Sequence, residues 1–131
     1  MSPSVAVVIL NWNGRRHLET YLPSVVKYSA VASVYLADNN STDDSIAFTK
    51  KNYPSIKFII NESNGGFAKG YNDALKDLKE DYFVLLNSDV EVTPNWIAPV
   101  IKKLESIENV CIAQPKIKSY LKKDEFEYAG A

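Results

Sequence analysis

Residues 5–10 are apolar without interruption (Val-Ala-Val-Val-Ile-Leu), a pattern that predicts a strand covered on both faces. Leu18, Tyr21, Leu22, Val25 and Val26 then recur at helical spacing, with Pro23 inside the pattern predicting a kink or a break. A second strand reads over 33–37. After it, Ser41 or Thr42 can cap a helix that carries Asp43 and Asp44 in its first turn, and Asn52-Tyr53-Pro54 closes that helix. Residues 56–60 predict a third strand, followed by a helix with Phe67, Tyr71, Leu75 and Leu78 on one side. Tyr82-Phe83-Val84-Leu85-Leu86 predicts a fourth strand. Thr93-Pro94 then opens a helix through Ile97, Val100, Ile101 and Leu104, with Pro99 in its first turns. A fifth strand over 110–114 and a polar segment with strand-like stretches end the pattern.

Strand and helix alternate, and the strands are nearly continuous in apolar residues. That combination predicts an α/β fold, a doubly wound, mostly parallel sheet with helices on both faces and a 3-2-1-4 strand order. At 131 residues the chain reads as one domain. In such sheets ligands bind beyond the carboxyl ends of the strands, so what each strand delivers as it ends matters most. The first delivers Asn11-Trp12-Asn13-Gly14. The second delivers Asp38-Asn39-Asn40-Ser41-Thr42-Asp43. The third delivers Asn61-Glu62-Ser63-Asn64-Gly65-Gly66-Phe67, and the fourth Asn87-Ser88-Asp89. All four sets predict one hydrogen-bonding rim, two of them carrying a carboxylate to solvent. Asp89, just beyond a buried strand, suits Mg²⁺ or Mn²⁺, which prefer oxygen ligands and take the remainder from substrate phosphates.

Composition narrows the classes. Net charge is −1 and no basic block stands out, which argues against nucleic acid as the main ligand. A single cysteine, Cys111, excludes an internal disulfide or a cysteine metal cluster; its apolar neighbours predict a small buried hydrophobe. No signal peptide and no stretch long enough to span a bilayer is visible, so a cytoplasmic setting is expected, with any membrane contact peripheral at the inner face. Two phosphate-binding motifs fail. The dinucleotide fingerprint needs Gly-x-Gly-x-x-Gly after the first strand, where this chain has Asn-Trp-Asn-Gly. Gly65 and Gly70 have the P-loop spacing, but Tyr71 and Asn72 stand where Lys-Ser or Lys-Thr is required.

Four segments, in order, resemble the successive motifs of family 2 glycosyltransferases, and most closely the rhamnosyltransferase-like bacterial branch. They are Val7-Val8-Ile9-Leu10-Asn11-Trp12-Asn13-Gly14, Ala37-Asp38-Asn39-Asn40-Ser41-Thr42-Asp43-Asp44-Ser45, Asn64-Gly65-Gly66-Phe67-Ala68-Lys69-Gly70-Tyr71-Asn72 and Leu85-Leu86-Asn87-Ser88-Asp89-Val90. The resemblance implies a GT-A fold and a nucleotide-diphosphate sugar donor, UDP- or dTDP-linked. It places Asn11, Trp12 and Asn13 in the wall of the nucleoside pocket and Asp38 at the base or ribose, with Ser41 and Asp43 in the same loop. Asn64, Gly65, Gly66, Lys69 and Asn72 then lie beside the nucleotide. Asn87 and Asp89 stand at the family's Asp-x-Asp site, Asp89 as the metal ligand and Asn87 a neutral departure suited to a ribose hydroxyl.

The implied reaction is inverting transfer of a sugar, rhamnose by branch resemblance, to an acceptor hydroxyl on a glycan or lipid-linked sugar, as in cell-surface polysaccharide synthesis. Relatives generally run well past residue 131, so this chain is expected to be the donor-binding part, inactive alone, with the catalytic base beyond it; an open sheet edge would suit a homodimer. Asp124, Glu125, Glu127, His17, Arg15 and Arg16 read as solvated surface, and Trp96 as packing. Two rivals stand beside the transferase: a nucleotidyltransferase, which would bring a basic glycine-rich loop to the first strand, and a non-catalytic nucleotide-binding or interaction module.

Overall fold

The computed structural model describes residues 2–128, the side chain of Tyr128 excepted. It divides into two compact units, Met1–Pro94 and Asn95–Ala131. In the first, four strands form one parallel sheet: β1 (Val5–Asn11), β2 (Ser33–Asp38), β3 (Lys57–Ile60) and β4 (Tyr82–Asn87), in the order β3-β2-β1-β4. The helices between them are α1 (Arg15–Tyr28), α2 (Ser45–Asn52) and α3 (Gly66–Leu75). The α/β class and the strand order agree with the sequence pattern.

β1 lies inside the sheet, and every one of its residues is buried. Its alternate residues face opposite sides. Ala6, Val8 and Leu10 join Ala37, Tyr71 and Ala74 in a core beneath α3. Val5, Val7 and Ile9 face the other way and are equally buried. Right-handed crossovers decide which helix takes which face. The chain steps outward from β1 to β2 to β3, which places α1 and α2 on one side, and then reverses to β4, which places α3 on the other. Leu18, Leu22 and Val25 supply the buried stripe of α1. Covering side chains of this size stabilises by about 1.5–3 kcal/mol each.

Several expectations change. Pro23 does not split α1, which is one helix through Tyr28 with Pro23 exposed on its outer face. Neither Ser41 nor Thr42 caps α2, which starts four residues after Ser41 at Ser45. Of the four residues expected on one side of the third helix, Phe67 is 65% exposed, because it lies in the first turn of α3, one turn short of Tyr71 where the helix meets the sheet.

In the second unit α4 spans Ala98–Ser106, not the turns from Thr93. Asn95, at φ +57°, breaks helical continuity after Pro94, so Pro99 rather than Pro94 occupies the first turn. The expected strand over 110–114 is absent; those residues join neither described ladder, and an apolar run without a partner strand does not fix its backbone. Cys111 is accordingly exposed, not buried. The ladder that does form is antiparallel, β5 (Ile117–Lys118) with β6 (Phe126–Tyr128).

Candidate functional site

Register places the strand ends together. Asn11 pairs with Asp38, Asp38 with Ile60, and Leu10 with Asn87. Neighbouring strands are about 4.8 Å apart, so β2 and β4 flank β1 and deliver their polar ends to one rim. The direction of winding reverses between β1 and β4, the position where such sheets open a crevice. An open cavity of about 360 Å³ lies instead at the opposite end, among Ser4, Tyr35, Leu78 and Glu80 near the strand starts. The rim takes priority through its convergent polar groups.

Asp38 organises the centre of the rim from inside. It is fully buried, contrary to the solvent-facing carboxylate expected. Asn11 Nδ2 donates to Oδ1 at 2.8 Å, the Ser41 hydroxyl donates to the same oxygen at 2.7 Å, and the Ser41 amide donates to Oδ2 at 2.7 Å. Ser41 Oγ in turn accepts from the Asn13 amide at 2.8 Å. A buried carboxylate is costly unless its lone pairs are engaged, and three donors engage them here. Asn11 Oδ1 is buried with no donor facing it.

Asn13, at φ +49°, turns the chain so that its side-chain oxygen accepts from the amides of Thr42, at 2.8 Å, and Asp43, at 3.3 Å. Asp43, one residue before the N-cap Asp44 of α2, engages the first amides of two helices: Oδ1 accepts from the Ser45 amide at 3.0 Å, and Oδ2 from the Arg15 amide at 3.0 Å. Burial pushes the Asp43 carboxyl up, but these bonds, the Ser45 hydroxyl and the Arg15 charge outweigh it and hold the group below its ordinary value. Arg15 does not reach for the rim. Its guanidinium lies 3.5 Å from the centre of the Phe48 ring and pairs with Glu19 at 2.9 Å.

Two asparagines not singled out from the sequence bind the third strand end to this group. Asn39 and Asn61 are both buried. Asn61 Nδ2 donates to Asn39 Oδ1 at 2.7 Å and to the Gly70 carbonyl at 3.1 Å. Asn39 Nδ2 donates to the Gly66 carbonyl at 3.3 Å, with Asn64 Oδ1 at 3.4 Å. Their one sequence signal was position, directly after β2 and β3. Gly66 has φ +79°, which favours glycine.

The other expected site residues are exposed at or near the rim: Trp12, Asn64, Gly65, Lys69 and Asn72, with Lys69 closely paired to Asp73. Asn87 and Asp89 are exposed at the end of β4. Among the described residues no group of three or more His, Cys, Asp or Glu side chains is set to hold a metal ion. Asp89 and Asn87 offer one carboxylate and one amide oxygen at the exposed end of β4, the kind of oxygen ligand that Mg²⁺ and Mn²⁺ prefer.

The family model described as Glycosyl transferase family 2 matches residues 6–129. The chain belongs to glycosyltransferase family 2. A similar relative of this family member is the N-acetylglucosaminyl-diphospho-decaprenol L-rhamnosyltransferase of Mycobacterium tuberculosis. It is 28% identical over 109 residues, covering 74% of this chain and 36% of the relative. Thus the chain spans little more than a third of that protein's length. Among solved structures, S. aureus TarS 1-349 in complex with UDP-GlcNAc superposes with a TM-score of 0.66 at 22% identity, over 88% of this chain and 38% of that one. Mannosyltransferase PcManGT from Pyrobaculum calidifontis, in complex with GDP-Man and Mn²⁺, superposes with a TM-score of 0.61 at 19% identity, over 70% and 29%. These likenesses establish the GT-A type of fold.

Proposed function

We propose that this family 2 glycosyltransferase chain binds the nucleoside diphosphate of an activated sugar across the ends of β1, β2 and β4, as the donor-binding part of an inverting transferase. The observation that carries the reading is the register that brings Asn11, Asp38 and Asn87 to adjacent strand ends at the winding reversal. Trp12 and Asn13 form the nucleoside wall, held by Ser41, Asp38 and Asp43 behind them. Asn64, Gly65, Gly66, Lys69 and Asn72 border the nucleotide at the start of α3. Asp89, with Asn87, holds Mg²⁺ or Mn²⁺, which when bound supplies positive charge to the diphosphate. Relatives named for rhamnosyl transfer to a diphospho-decaprenol-linked sugar support rhamnose as the sugar and a lipid-linked sugar as the acceptor. An inner-membrane-face location suits that acceptor, and no helix among the described residues is long and apolar enough to cross a membrane. The chain's small share of its relative's length supports an acceptor site and catalytic base outside residues 1–131.

One observation favours a second reading, nucleotide binding without turnover: Asn87 leaves a single carboxylate, Asp89, on the end of β4. Calorimetric titration with UDP, dTDP and GDP, each with and without Mn²⁺, tests both. Binding of a diphosphate strengthened by Mn²⁺ supports the donor site, binding indifferent to Mn²⁺ supports the second reading, and no binding of any nucleotide removes both.

A further inference from the structure

We infer that Asn39 and Asn61 are positioning residues for the donor site: together they fix the turn at 64–66, and residue 39 must be an amide to do so. The inference rests on the proposed donor site for its functional consequence, but its structural half stands on geometry alone. Asn39 is 2% exposed and both ends of its side chain are engaged in opposite senses. Its oxygen accepts from Asn61 Nδ2 at 2.7 Å, while its nitrogen donates to the Gly66 carbonyl at 3.3 Å beside Asn64 Oδ1 at 3.4 Å. Asn64 Oδ1 also accepts the Gly66 amide at 3.0 Å. Asn61 is held in turn by its second donation, to the Gly70 carbonyl at 3.1 Å. The chain of amides therefore runs from the end of β3, through the end of β2, to both sides of the Gly66 residue that opens α3.

Chemistry restricts which side chain can stand at 39. A carboxylate of the same shape could still accept from Asn61, but its second oxygen would face the Gly66 carbonyl and the Asn64 side-chain oxygen, acceptor against acceptor. An aliphatic residue would leave one amide hydrogen of buried Asn61 without its acceptor and would remove the side-chain donor to the Gly66 carbonyl. The amide also packs closely on α3: a Cβ on Gly70 would lie 2.7 Å from Asn39 Nδ2 and 2.8 Å from its oxygen, so Gly70 leaves the room that the Asn39 side chain occupies. Exposed Gly65 and Gly66 are the backbone that the proposed site turns toward the diphosphate. Asn39 and Asn61 themselves are buried behind it and act through that turn.

The test compares wild type with Asn39→Asp and Asn61→Ala, and uses Asn52→Asp as a control. Asn52 also donates to a backbone carbonyl, that of Phe48 at 2.8 Å, but at the far end of α2. Two quantities are read on the whole chain: the ¹⁵N–¹H shift and hydrogen-exchange rate of the Gly66 amide without ligand, and the affinity for UDP, dTDP and GDP with Mn²⁺. We expect Gly66 exchange to quicken by roughly tenfold or more in both variants, the factor that loss of one buried hydrogen bond brings. Diphosphate affinity should fall by a similar factor, while Asn52→Asp lowers the melting temperature and leaves both readings unchanged. Unchanged Gly66 exchange in Asn39→Asp and Asn61→Ala overturns the positioning role, whatever the nucleotide does. Perturbed exchange with undiminished affinity overturns the functional consequence. If wild type binds none of the three nucleotides, the donor-site reading fails with that consequence, and the Gly66 readings alone decide the structural role.

Discussion

Replacing Asp38 by Asn tests whether the rim is held from within. The two side chains are nearly isosteric, so the change is electrostatic rather than steric. In the native chain three donors converge on Asp38, from Asn11 Nδ2, the Ser41 hydroxyl and the Ser41 amide. The hydroxyl can rotate to become an acceptor, and Asn11 can offer its oxygen only by turning its amide over, which gives up its N–H bonds to residue 38 and to Ser41 Oγ; the Ser41 backbone N–H cannot change role. Whichever way the substituted amide turns, at least one of the native donated bonds is lost. Hydrogen bonds to a charged acceptor contribute about 1.5–3 kcal/mol, and a buried donor left alone costs about 1–3 kcal/mol. Relief of the buried charge offsets part of this. We therefore expect a net loss of about 2–3 kcal/mol. At the usual unfolding entropy per residue, that lowers the melting temperature by roughly 7–15 °C, the smaller figure if all 131 residues melt together and the larger if unit Met1–Pro94 melts alone. Calorimetric melting of the ligand-free chain measures it. A melting temperature within about 1 °C of wild type, with nucleotide affinity lost, would refute the reasoning: Asp38 would then act on the ligand and not on the loop.

Three further outcomes follow from the same geometry. Gly70→Ala should destabilise by about 1–3 kcal/mol in chemical denaturation despite alanine's better helix propensity, because the new methyl would meet Asn39 at 2.7 Å and Leu10 Cδ1 at 3.0 Å. Asp89→Ala should leave the unfolding free energy within about 0.5 kcal/mol of wild type, since the side chain is exposed, while abolishing the Mn²⁺-dependent part of nucleotide affinity in calorimetric titration. Acid stability has a defined sign: Asp43, Glu80 and Asp81 are all held below their ordinary values. Their contribution is present above the ordinary carboxyl range and is lost as pH falls through that range toward the lower folded-state values, so melting temperatures should drop progressively below about pH 5. Asp43→Asn should make that drop shallower.

The sheet was legible because its signal is redundant. Continuous apolar runs at 5–10 and 82–86, each followed by polar strand-end residues, left few alternatives to parallel strands with covering helices. The rim was legible for the same reason, since strand ends in such a sheet are fixed by the strands. What sequence did not reveal is how the rim holds itself. Asp38 reads as a ligand-facing acid, yet its neighbours Ser41 and Asn11 supply donors that draw it inward, and whether an acid faces out or in is decided by partners remote in sequence. Asn39 and Asn61 read as loop residues because their role depends on meeting each other across two strands. Residues 110–114 failed for the opposite reason: local apolarity was present, but the described residues provide no strand beside them.

The central proposal, that the ends of β1, β2 and β4 and the start of α3 clasp a metal-bound nucleoside diphosphate, is most directly tested by paramagnetic broadening. Mn²⁺ added to the ¹⁵N-labelled chain in the presence of UDP, dTDP or GDP should erase the amide signals of residues 11–14, 64–66 and 87–89, and do so far less without nucleotide. Signals near Tyr35 and Glu80, at the opposite end of the sheet, should persist. Broadening centred on that opposite end, or none at any strand end with all three nucleotides, would contradict the account.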